Sequence, residues 1–345
     1  MKMKTFDTLD NGDLVLSVTL NNGPYEVEVL SLGATIHALR IPDKDGKVED
    51  IVLGYDCANE YLLNTTYYGM TVGRFANRIK GGAFEIDGKK YQLDQNDNKV
   101  NTLHSGKASL AWKNWDMELV ENGDNPSVLL SVDSKDEEGG FPGNCVVTAQ
   151  FTLTKDGELV IDYTAKSDKK SILGLTNHSY FNITGNPGKK ILDNEVWLDC
   201  DGVLAVDDLL IPTGEILDVK NTPFDFNEFH KIGERIDSTP AGYDHCFCFK
   251  DADGSFKKRG EIKDNESGRV MSIYTDMPGV QMYTANFFDE GSCGKEGKEY
   301  TKNGGVCFET QMYPDAPNHS NFPSCIIEAN KEYKYKTVYK FSIIK

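Results

Sequence analysis

The sequence has no long apolar run, and none of its hydrophobic stretches approaches the roughly 20 residues that a membrane-spanning helix needs. It also lacks CxxC pairs, because its eight cysteines are scattered along the 345 residues. This pattern is typical of reduced thiols that pack as small hydrophobic side chains. Since the opening residues, Met-Lys-Met-Lys-Thr-Phe-Asp, contain no apolar core of a secretion signal, we expect a cytoplasmic protein without membrane segments.

Basic residues are scarce relative to acidic ones. Lysine and arginine together number 37, against 54 aspartates and glutamates, which gives a formal net charge of −17. Nucleic acids and anionic membrane surfaces bind proteins through clustered lysine and arginine. The composition therefore argues against a polyanion or a membrane surface as partner, and it is compatible with a neutral ligand such as a sugar.

Familiar catalytic and nucleotide-binding motifs are missing as well. The sequence contains no GxxxxGK[ST] phosphate loop, no GxGxxG after a strand, no GxSxG and no HExxH. Residues 94–99, Asp-Gln-Asn-Asp-Asn-Lys, imitate a calcium-binding loop, but a lysine stands where glycine is needed and the closing glutamate is absent. We therefore predict neither a metal site nor a bound cofactor.

What the sequence does have is alternation of apolar and polar residues with a period of two. Residues 147–154 alternate without a break, and the turn Lys-Asp-Gly separates them from a second strand candidate at residues 158–163. Residues 83–93 repeat this arrangement around Asp-Gly-Lys, and residues 333–341 alternate over most of their length. Each of the first two patterns predicts a β-hairpin.

Helical periodicity is weak and confined to residues 59–63 and 226–229. Turn signals such as Asn-Gly and Asp-Gly recur along the whole length, with no linker, repeat or low-complexity tract between them. Many strands joined by frequent turns predict an all-β fold, a large antiparallel β-sandwich. We expect residues 1–345 to form a single domain.

A polar cluster at residues 176–182 reads Thr-Asn-His-Ser-Tyr-Phe-Asn and follows the apolar Ile-Leu-Gly-Leu. If the segment is extended, His178 and Tyr180 share one face, and Asn177 and Ser179 share the other. Buried polar groups are costly unless they are paired, so such a cluster indicates a functional site. A surface loop after a strand is the alternative that the spacing alone leaves open.

A second cluster surrounds Glu309, within residues 304–315. A glutamate in the middle of an apolar strand pattern is unusual, because carboxylates are rarely buried without a partner or a task. The period-two pattern places Glu309 and Gln311 on one side of the strand and Phe308 on the other. A glutamate on the solvent face of an amphipathic strand is the alternative interpretation.

Three smaller clusters combine histidine, arginine, asparagine or aspartate with small residues. Each has a plain structural explanation, namely a charged turn, a loop histidine and a turn-capping aspartate. Their recurrence along one chain favours a common site. In order, they are residues 73–79 (Gly-Arg-Phe-Ala-Asn-Arg-Ile), 101–106 (Asn-Thr-Leu-His-Ser-Gly) and 242–247 (Gly-Tyr-Asp-His-Cys-Phe).

Taken in order, these segments resemble the aldose 1-epimerase (galactose mutarotase) family. The resemblance covers nearly the whole chain, and its most specific parts are the Thr-Asn-His-Ser-Tyr-Phe-Asn stretch and the Glu-Thr-Gln that precedes Pro-Asp-Ala and Asn-His. It is carried by residues 53–56, 73–79, 101–106, 176–182, 243–245, 277–281, 309–311, 314–319 and 321–324.

The resemblance implies a galactose mutarotase-like supersandwich with an open sugar-binding cleft. It implies Glu309 as general base and His178 as general acid in the interconversion of α and β anomers of free aldohexoses such as galactose and glucose. It also implies that five side chains hydrogen-bond the monosaccharide, namely Asn77, Arg78, His104, Asp244 and Gln281. We expect a monomer or a weak dimer that needs no cofactor.

The chemistry suits these residue types. Ring opening of a cyclic hemiacetal needs one proton removed from the anomeric hydroxyl and another delivered to the ring oxygen. A glutamate with an ordinary pKa of about 4.3 is a modest base unless burial raises that pKa. We therefore predict that Glu309 is partly desolvated and that Asp244 and the arginines tune the site.

One segment departs from the family pattern. After His104 the family usually has Gly-Gly and a Gly-Phe-containing segment, whereas residues 105–112 read Ser-Gly-Lys-Ala-Ser-Leu-Ala-Trp. Because this loop borders the predicted sugar site, the preferred aldose stays open.

Three other functions stay open at this point. A glycoside hydrolase would pair Glu309 with a second carboxylate, for which Asp244 is the candidate. A non-catalytic sugar-binding protein would not need a matched acid and base. An epimerase for phosphorylated hexoses would need basic side chains for the phosphate, and Arg74 and Arg78 are the candidates.

Overall fold

The computed structural model describes residues 1–239, 241–288 and 292–344, and antiparallel strands dominate it. The predicted hairpin lies in the largest sheet, with Val147 opposite Ala165 and Leu153 opposite Leu159. Across this sheet the nine strands are, in order, Asp116–Val120, Ser127–Ser134, Cys145–Leu153, Glu158–Ser167, Glu332–Ile343, Arg269–Thr275, Lys257–Lys263, Glu195–Leu198 and His230–Lys231.

Two further sheets complete the main architecture. A five-stranded sheet near the N-terminus consists of Met3–Thr8, Leu14–Asn22, Tyr25–Leu30, Thr35–Pro42 and Val48–Asp50. A six-stranded sheet has the order Tyr180–Phe181, Val306–Gln311, Gly279–Tyr283, Asp244–Phe249, Cys200–Val206 and Pro212–Asp218. The second of these sheets contains the polar clusters around Glu309 and Asp244.

Short two-stranded ladders lie outside these three sheets. They pair Thr71–Val72 with Thr176–Asn177, Arg78–Ile79 with Thr102–Leu103, Ala83–Ile86 with Lys89–Gln92, Ser171–Ile172 with Ile326–Ile327, and Ser292–Cys293 with Glu299–Tyr300. The third of these pairs is the second predicted hairpin, which the structure confirms. The first two place the segments around His178, Arg78 and His104 beside one another.

Helices are few and short in the part of the chain that the structure describes. The predicted helical segment near residue 59 is confirmed as Ala58–Leu63, and a second α-helix spans Ile232–Arg235. The prediction for residues 226–229 is wrong, because the Asp225 carboxylate accepts the backbone N–H of Asn227 and holds a turn there. Single 3₁₀ turns lie at Lys80–Gly82, Gly106–Ala108, Leu110–Trp112, Glu138–Gly140, Ile191–Asp193, Ile236–Ser238, Lys295–Gly297 and Ala316–Asn318.

One apolar core joins the three large sheets. It contains Val29 from the five-stranded sheet, Phe151 from the nine-stranded sheet and Phe308 from the six-stranded sheet. Alternation explains which side chains enter it, since Val147 is buried while its neighbour Val146 is 50% exposed. The predicted all-β antiparallel sandwich is therefore confirmed. Within the described ranges, no helix is long and apolar enough to cross a membrane.

Candidate active site

Glu309 lies near the middle of the strand Val306–Gln311, between the strands Tyr180–Phe181 and Gly279–Tyr283. The predicted alternation holds, because Phe308 enters the apolar core while Glu309 lines a cavity. The Glu309 residue is only 2% exposed. Its Oε2 atom is buried and has no hydrogen-bond partner among the described residues, and an unpaired buried carboxylate oxygen favours the protonated form of the group.

His178 is positioned by the extended segment that follows the strand Thr176–Asn177. His178 and Tyr180 both line the cavity, while Ser179 donates its hydroxyl to the Asn177 side chain on the opposite face, as the period-two pattern predicts. Gly69 clamps this segment, since it donates its N–H to the His178 carbonyl and accepts from the Asn177 amide. Gly69 has φ +68°, and an added Cβ would lie 2.1 Å from the Ile36 carbonyl oxygen, so the clamp requires glycine.

His178 and Glu309 form a buried pair, with Nε2 of the imidazole 3.6 Å from Oε1 of the carboxylate. Burial lowers the pKa of His178 to about 4. Burial also raises the pKa of Glu309 well above its ordinary value; the charge of Asp244 raises it further and that of Arg78 opposes the rise. Since burial favours the neutral form of each group, the pair retains one proton between them over a wide pH range.

His104 and Asn77 brace each other across the cavity wall. The Asn77 backbone N–H donates to Nδ1 of the His104 ring, and the backbone N–H of His104 donates to the Asn77 carbonyl. Both residues have left-handed backbones, with φ of 63° and 52° respectively. Burial, followed by the charges of His178 and Arg78, holds the pKa of His104 well below its ordinary value. The neutral ring therefore carries its proton on Nε2 and is a donor.

This tautomer bears on metal binding. Three potential metal-ligand atoms, one each from His104, His178 and Glu309, lie within 4.8 Å of one another, a spacing that could hold an ion. A neutral histidine ligates a metal through a nitrogen lone pair, however, and the His104 lone pair already accepts the Asn77 N–H. The arrangement suits a hydrogen-bond donor to a ligand better than a metal ligand.

Arg78 lines the same cavity and forms an ion pair with Asp97. Its Nε donates to the Asp97 carboxylate over 3.2 Å, and both side chains are largely buried, with 14% and 12% exposed. Within the described ranges its two terminal amino groups have no protein partner, so they are free to donate to a ligand. Asp97 was not among the residues predicted for the site.

Asp244 and Gln281 occupy adjacent strands of the six-stranded sheet. Asp244 lines the cavity, and its Oδ1 accepts a hydrogen bond of 2.7 Å from Nε2 of Gln281. Gln281 lies opposite Glu309 on the neighbouring strand and borders a smaller space that Asn77 and Asp244 also line. Of the seven predicted site residues, six therefore line one cavity and the seventh buttresses one of them.

Arg74 lies outside the cavity, contrary to the suggestion that both arginines serve it. Its guanidinium is fully buried and donates to the carbonyl oxygens of Pro142 and Gly143. Asn77, with its left-handed backbone, interrupts the strand alternation between the two arginines, so a period-two pattern could not tell which arginine faces the ligand.

The cavity has a volume of about 280 Å³, slightly below the roughly 300–1,000 Å³ of sites for drug-sized ligands, so it suits a small molecule. Aromatic side chains line the cavity together with the polar groups, and they offer surfaces on which the C–H faces of a sugar can pack. These aromatic residues were not predicted for the site, although adjacent tyrosine and phenylalanine pairs are visible in the sequence. They are Tyr67, Tyr180, Tyr283, Phe287 and Phe288, beside Thr65 and Thr66.

Comparison with known proteins places this geometry in a family. The sequence profile of the aldose 1-epimerase family matches residues 16–340. Galactose mutarotase from Bos taurus is 41% identical over 327 residues, which cover 94% of this chain and 93% of that protein. Aldose 1-epimerase from Escherichia coli K12 is 30% identical over 328 residues, covering 93% of each chain.

Solved structures of similar proteins share the fold of this chain. An aldose epimerase homologue from C. elegans superimposes with a TM-score of 0.87 at 30% sequence identity, covering 95% of this chain and 99% of that one. Galactose 1-epimerase from Lactobacillus acidophilus shares the fold, also with a TM-score of 0.87, at 24% identity and with 100% and 99% of the two chains covered.

Proposed function

The chain belongs to the aldose 1-epimerase family and is an isomerase that interconverts the α and β anomers of aldoses, and on that premise we propose that Glu309 is its general base and His178 its general acid. The observation that carries this assignment is the buried pair itself, with Nε2 and Oε1 3.6 Å apart at the cavity wall. A carboxylate and an imidazole in this position can remove one proton and deliver another.

The reaction transfers two protons and breaks one ring bond. Ionised Glu309 takes the proton of the anomeric hydroxyl, and protonated His178 donates its proton to the ring oxygen as the bond from C1 to that oxygen breaks. The open-chain aldehyde then rotates about the C1–C2 bond. In reclosure the roles reverse, because neutral His178 removes the proton from the C5 hydroxyl and protonated Glu309 returns one to the new anomeric oxygen.

The unusual pKa values of the pair support this cycle. Before ring opening the shared proton is on His178, and afterwards it is on Glu309, so the net charge of the pair is the same in both states. Burial favours the uncharged state, in which Glu309 holds the proton, and this is the state that accompanies the aldehyde. Each positioned acid or base typically contributes about 10²–10⁴-fold to the rate.

We further propose that the polar wall orients the sugar. Arg78 and the Nε2–H of His104 donate to sugar hydroxyls, Asp244 accepts from them, and Asn77 completes the wall beside them. Gln281 acts through Asp244, which it fixes by its 2.7 Å hydrogen bond. Free galactose and glucose are the proposed substrates, since relatives at about 40% identity are galactose mutarotases.

A glycoside hydrolase fits this site less well. The immediate neighbour of Glu309 is His178, with Nε2 and Oε1 3.6 Å apart, whereas hydrolysis uses a pair of carboxylates and would leave this buried histidine without a role. Asp244, the other carboxylate of the cavity, is bound by Gln281. A phosphorylated substrate is disfavoured as well, because Arg74 is buried away from the cavity.

We propose one domain over residues 1–345, because strands from both halves of the chain share the nine-stranded sheet and the core extends from Val18 to Phe341. We also propose a cytoplasmic location, in keeping with eight free cysteines, and a monomer or weak dimer.

Anomer-exchange rates for a panel of free aldoses, measured by polarimetry from pure α anomers, test the function. We expect acceleration with galactose and glucose and a loss of about 100-fold or more in His178→Asn. Galactose binding without accelerated exchange would identify a non-catalytic sugar-binding protein. Release of reducing ends from an oligosaccharide would identify a hydrolase.

A further inference from the structure

We propose that Asp97 determines specificity by making the site reject sugars that carry a negative charge, an inference that rests on the function proposed above. Arg78 is the single lysine or arginine among the described residues lining the cavity. An isolated arginine would attract a carboxylate or phosphate, which the planar guanidinium binds through two parallel hydrogen bonds. In this chain the guanidinium is already paired with Asp97.

The Asp97 carboxylate is fixed in place by its own loop. The backbone of Asp97 exchanges two hydrogen bonds with Asn101, of 3.0 and 2.9 Å, and the Asn98 side chain donates to Oδ1 of Asp97. The other carboxylate oxygen, Oδ2, accepts the Nε–H of Arg78. Residues 94–99, which imitate a calcium-binding loop, therefore supply the carboxylate that pairs with Arg78.

The local charge then disfavours an anion. Asp244 and Asp97 contribute two negative charges, Arg78 contributes one positive charge, and the Glu309–His178 pair with its shared proton contributes none. For these described residues the sum is −1. A neutral aldose still receives hydrogen bonds from the terminal amino groups of Arg78, whereas an anionic sugar meets net repulsion in a partly desolvated cavity.

Galactose and galacturonate provide a matched test, since they differ only at C6, where the second carries a carboxylate. We expect Asp97→Asn to raise the ratio of kcat/KM for galacturonate to kcat/KM for galactose by about tenfold at low ionic strength. The increase should shrink at 0.5 M salt, because screening weakens charge effects. Asp97→Glu, which keeps the charge, should leave the ratio within about twofold.

Two controls separate this role from a merely structural one. Asp124→Asn removes one negative charge from an exposed turn and should leave the ratio unchanged. In the unsubstituted protein, the methyl ester of galacturonate, which is uncharged, should have a kcat/KM about tenfold above that of galacturonate itself, a comparison that holds even if Asp97→Asn folds poorly.

An equal loss of kcat/KM for both sugars in Asp97→Asn would overturn the inference, because Asp97 would then only position Arg78. Equal kcat/KM values for galacturonate and its methyl ester in the unsubstituted protein would overturn it too. If the unsubstituted protein fails to accelerate exchange even of galactose, the proposed function falls and this inference falls with it.

Discussion

Trp112 packs against Tyr67 in a tilted arrangement, with ring centroids 4.6 Å apart and ring planes inclined by 37°. Tyr67 in turn packs against His104 and His178, at centroid distances of 4.8 and 5.8 Å. The indole N–H of Trp112 donates to the carbonyl of Gly106 and so fixes the outer ring. The loop that departs from the family pattern therefore supports the two cavity histidines through an aromatic stack, without lining the cavity itself.

Removal of this support should slow the reaction more than it weakens binding. In Trp112→Ala, Tyr67 loses a stacking partner worth about 0.5–1.5 kcal/mol, and the His178 ring loses its fixed orientation. We expect kcat for galactose to fall about tenfold while KM changes less than about threefold, since small misplacements of a reacting group are costly.

Trp112→Phe is the matched control, because it keeps an aromatic ring and loses the hydrogen bond to Gly106. Its kcat should stay within about threefold of the unsubstituted value. A Trp112→Ala protein with unchanged kcat would show that the stack has no part in positioning His178. Polarimetric rates over a range of galactose concentrations separate kcat from KM.

The pH dependence of kcat/KM should follow the one-proton state of the Glu309–His178 pair. Below the pKa of His178, about 4, both groups are protonated and no base is left, so the rate falls on the acid side. On the alkaline side the rate falls once Glu309, whose pKa is raised by burial and Asp244, has lost the shared proton and no acid is left. A rate that instead falls below pH 6.5, the ordinary pKa of histidine, would contradict this account.

Asp244→Asn tests the origin of the alkaline limb. Since the Asp244 charge raises the pKa of Glu309, its removal should move the alkaline limb of kcat/KM to lower pH, whatever the loss of sugar affinity does to KM. The Arg78 charge acts in the opposite direction, so Arg78→Gln should move the same limb to higher pH. An alkaline limb that stays in place in both variants would assign it to another group.

Arg74 should matter for stability and not for chemistry. Its buried guanidinium satisfies the carbonyl oxygens of Pro142 and Gly143, and hydrogen bonds to a charged group contribute about 1.5–3 kcal/mol. Arg74→Met should therefore lower the free energy of unfolding in urea by about 2–4 kcal/mol, while kcat per folded molecule is retained.

Arg40→Met is the comparison for that prediction, because Arg40 pairs with Glu26 at the surface, with 38% of its side chain exposed. Exposed pairs contribute about 0–1 kcal/mol, so the loss should be correspondingly small. An Arg74→Met protein that is as stable as the unsubstituted protein but has a lower kcat and a changed KM would show that Arg74 belongs to the site.

Features that depend on local periodicity could be predicted from the sequence. Alternation located the hairpins, and it placed Glu309 opposite to Phe308 and His178 opposite to Asn177, because neighbouring side chains of an extended chain point to opposite faces. Contacts between distant segments could not be read in this way. The Asp97–Arg78 pair depends on how the Asp97–Asn101 loop closes.

The arginines and Gln281 illustrate the same limit. The left-handed backbone of Asn77 interrupts the alternation between Arg74 and Arg78, so residue spacing gave no means of separating a buried structural arginine from a cavity arginine. The resemblance implies Gln281 at the sugar, and in the structure it lies opposite Glu309 on the neighbouring strand and donates to Asp244. That position depends on the packing between strands, which a single sequence does not encode as a local pattern.

Exchange of galactose anomers by Glu309→Gln is the most direct test of the assigned mechanism. Glutamine preserves the size of the side chain and most of its hydrogen-bonding capacity but cannot take up the anomeric proton. At the pH optimum, with folding checked by the melting temperature, kcat/KM should fall by about 100-fold or more. A Glu309→Gln protein that keeps most of its polarimetric activity would contradict the assignment of Glu309 as the base.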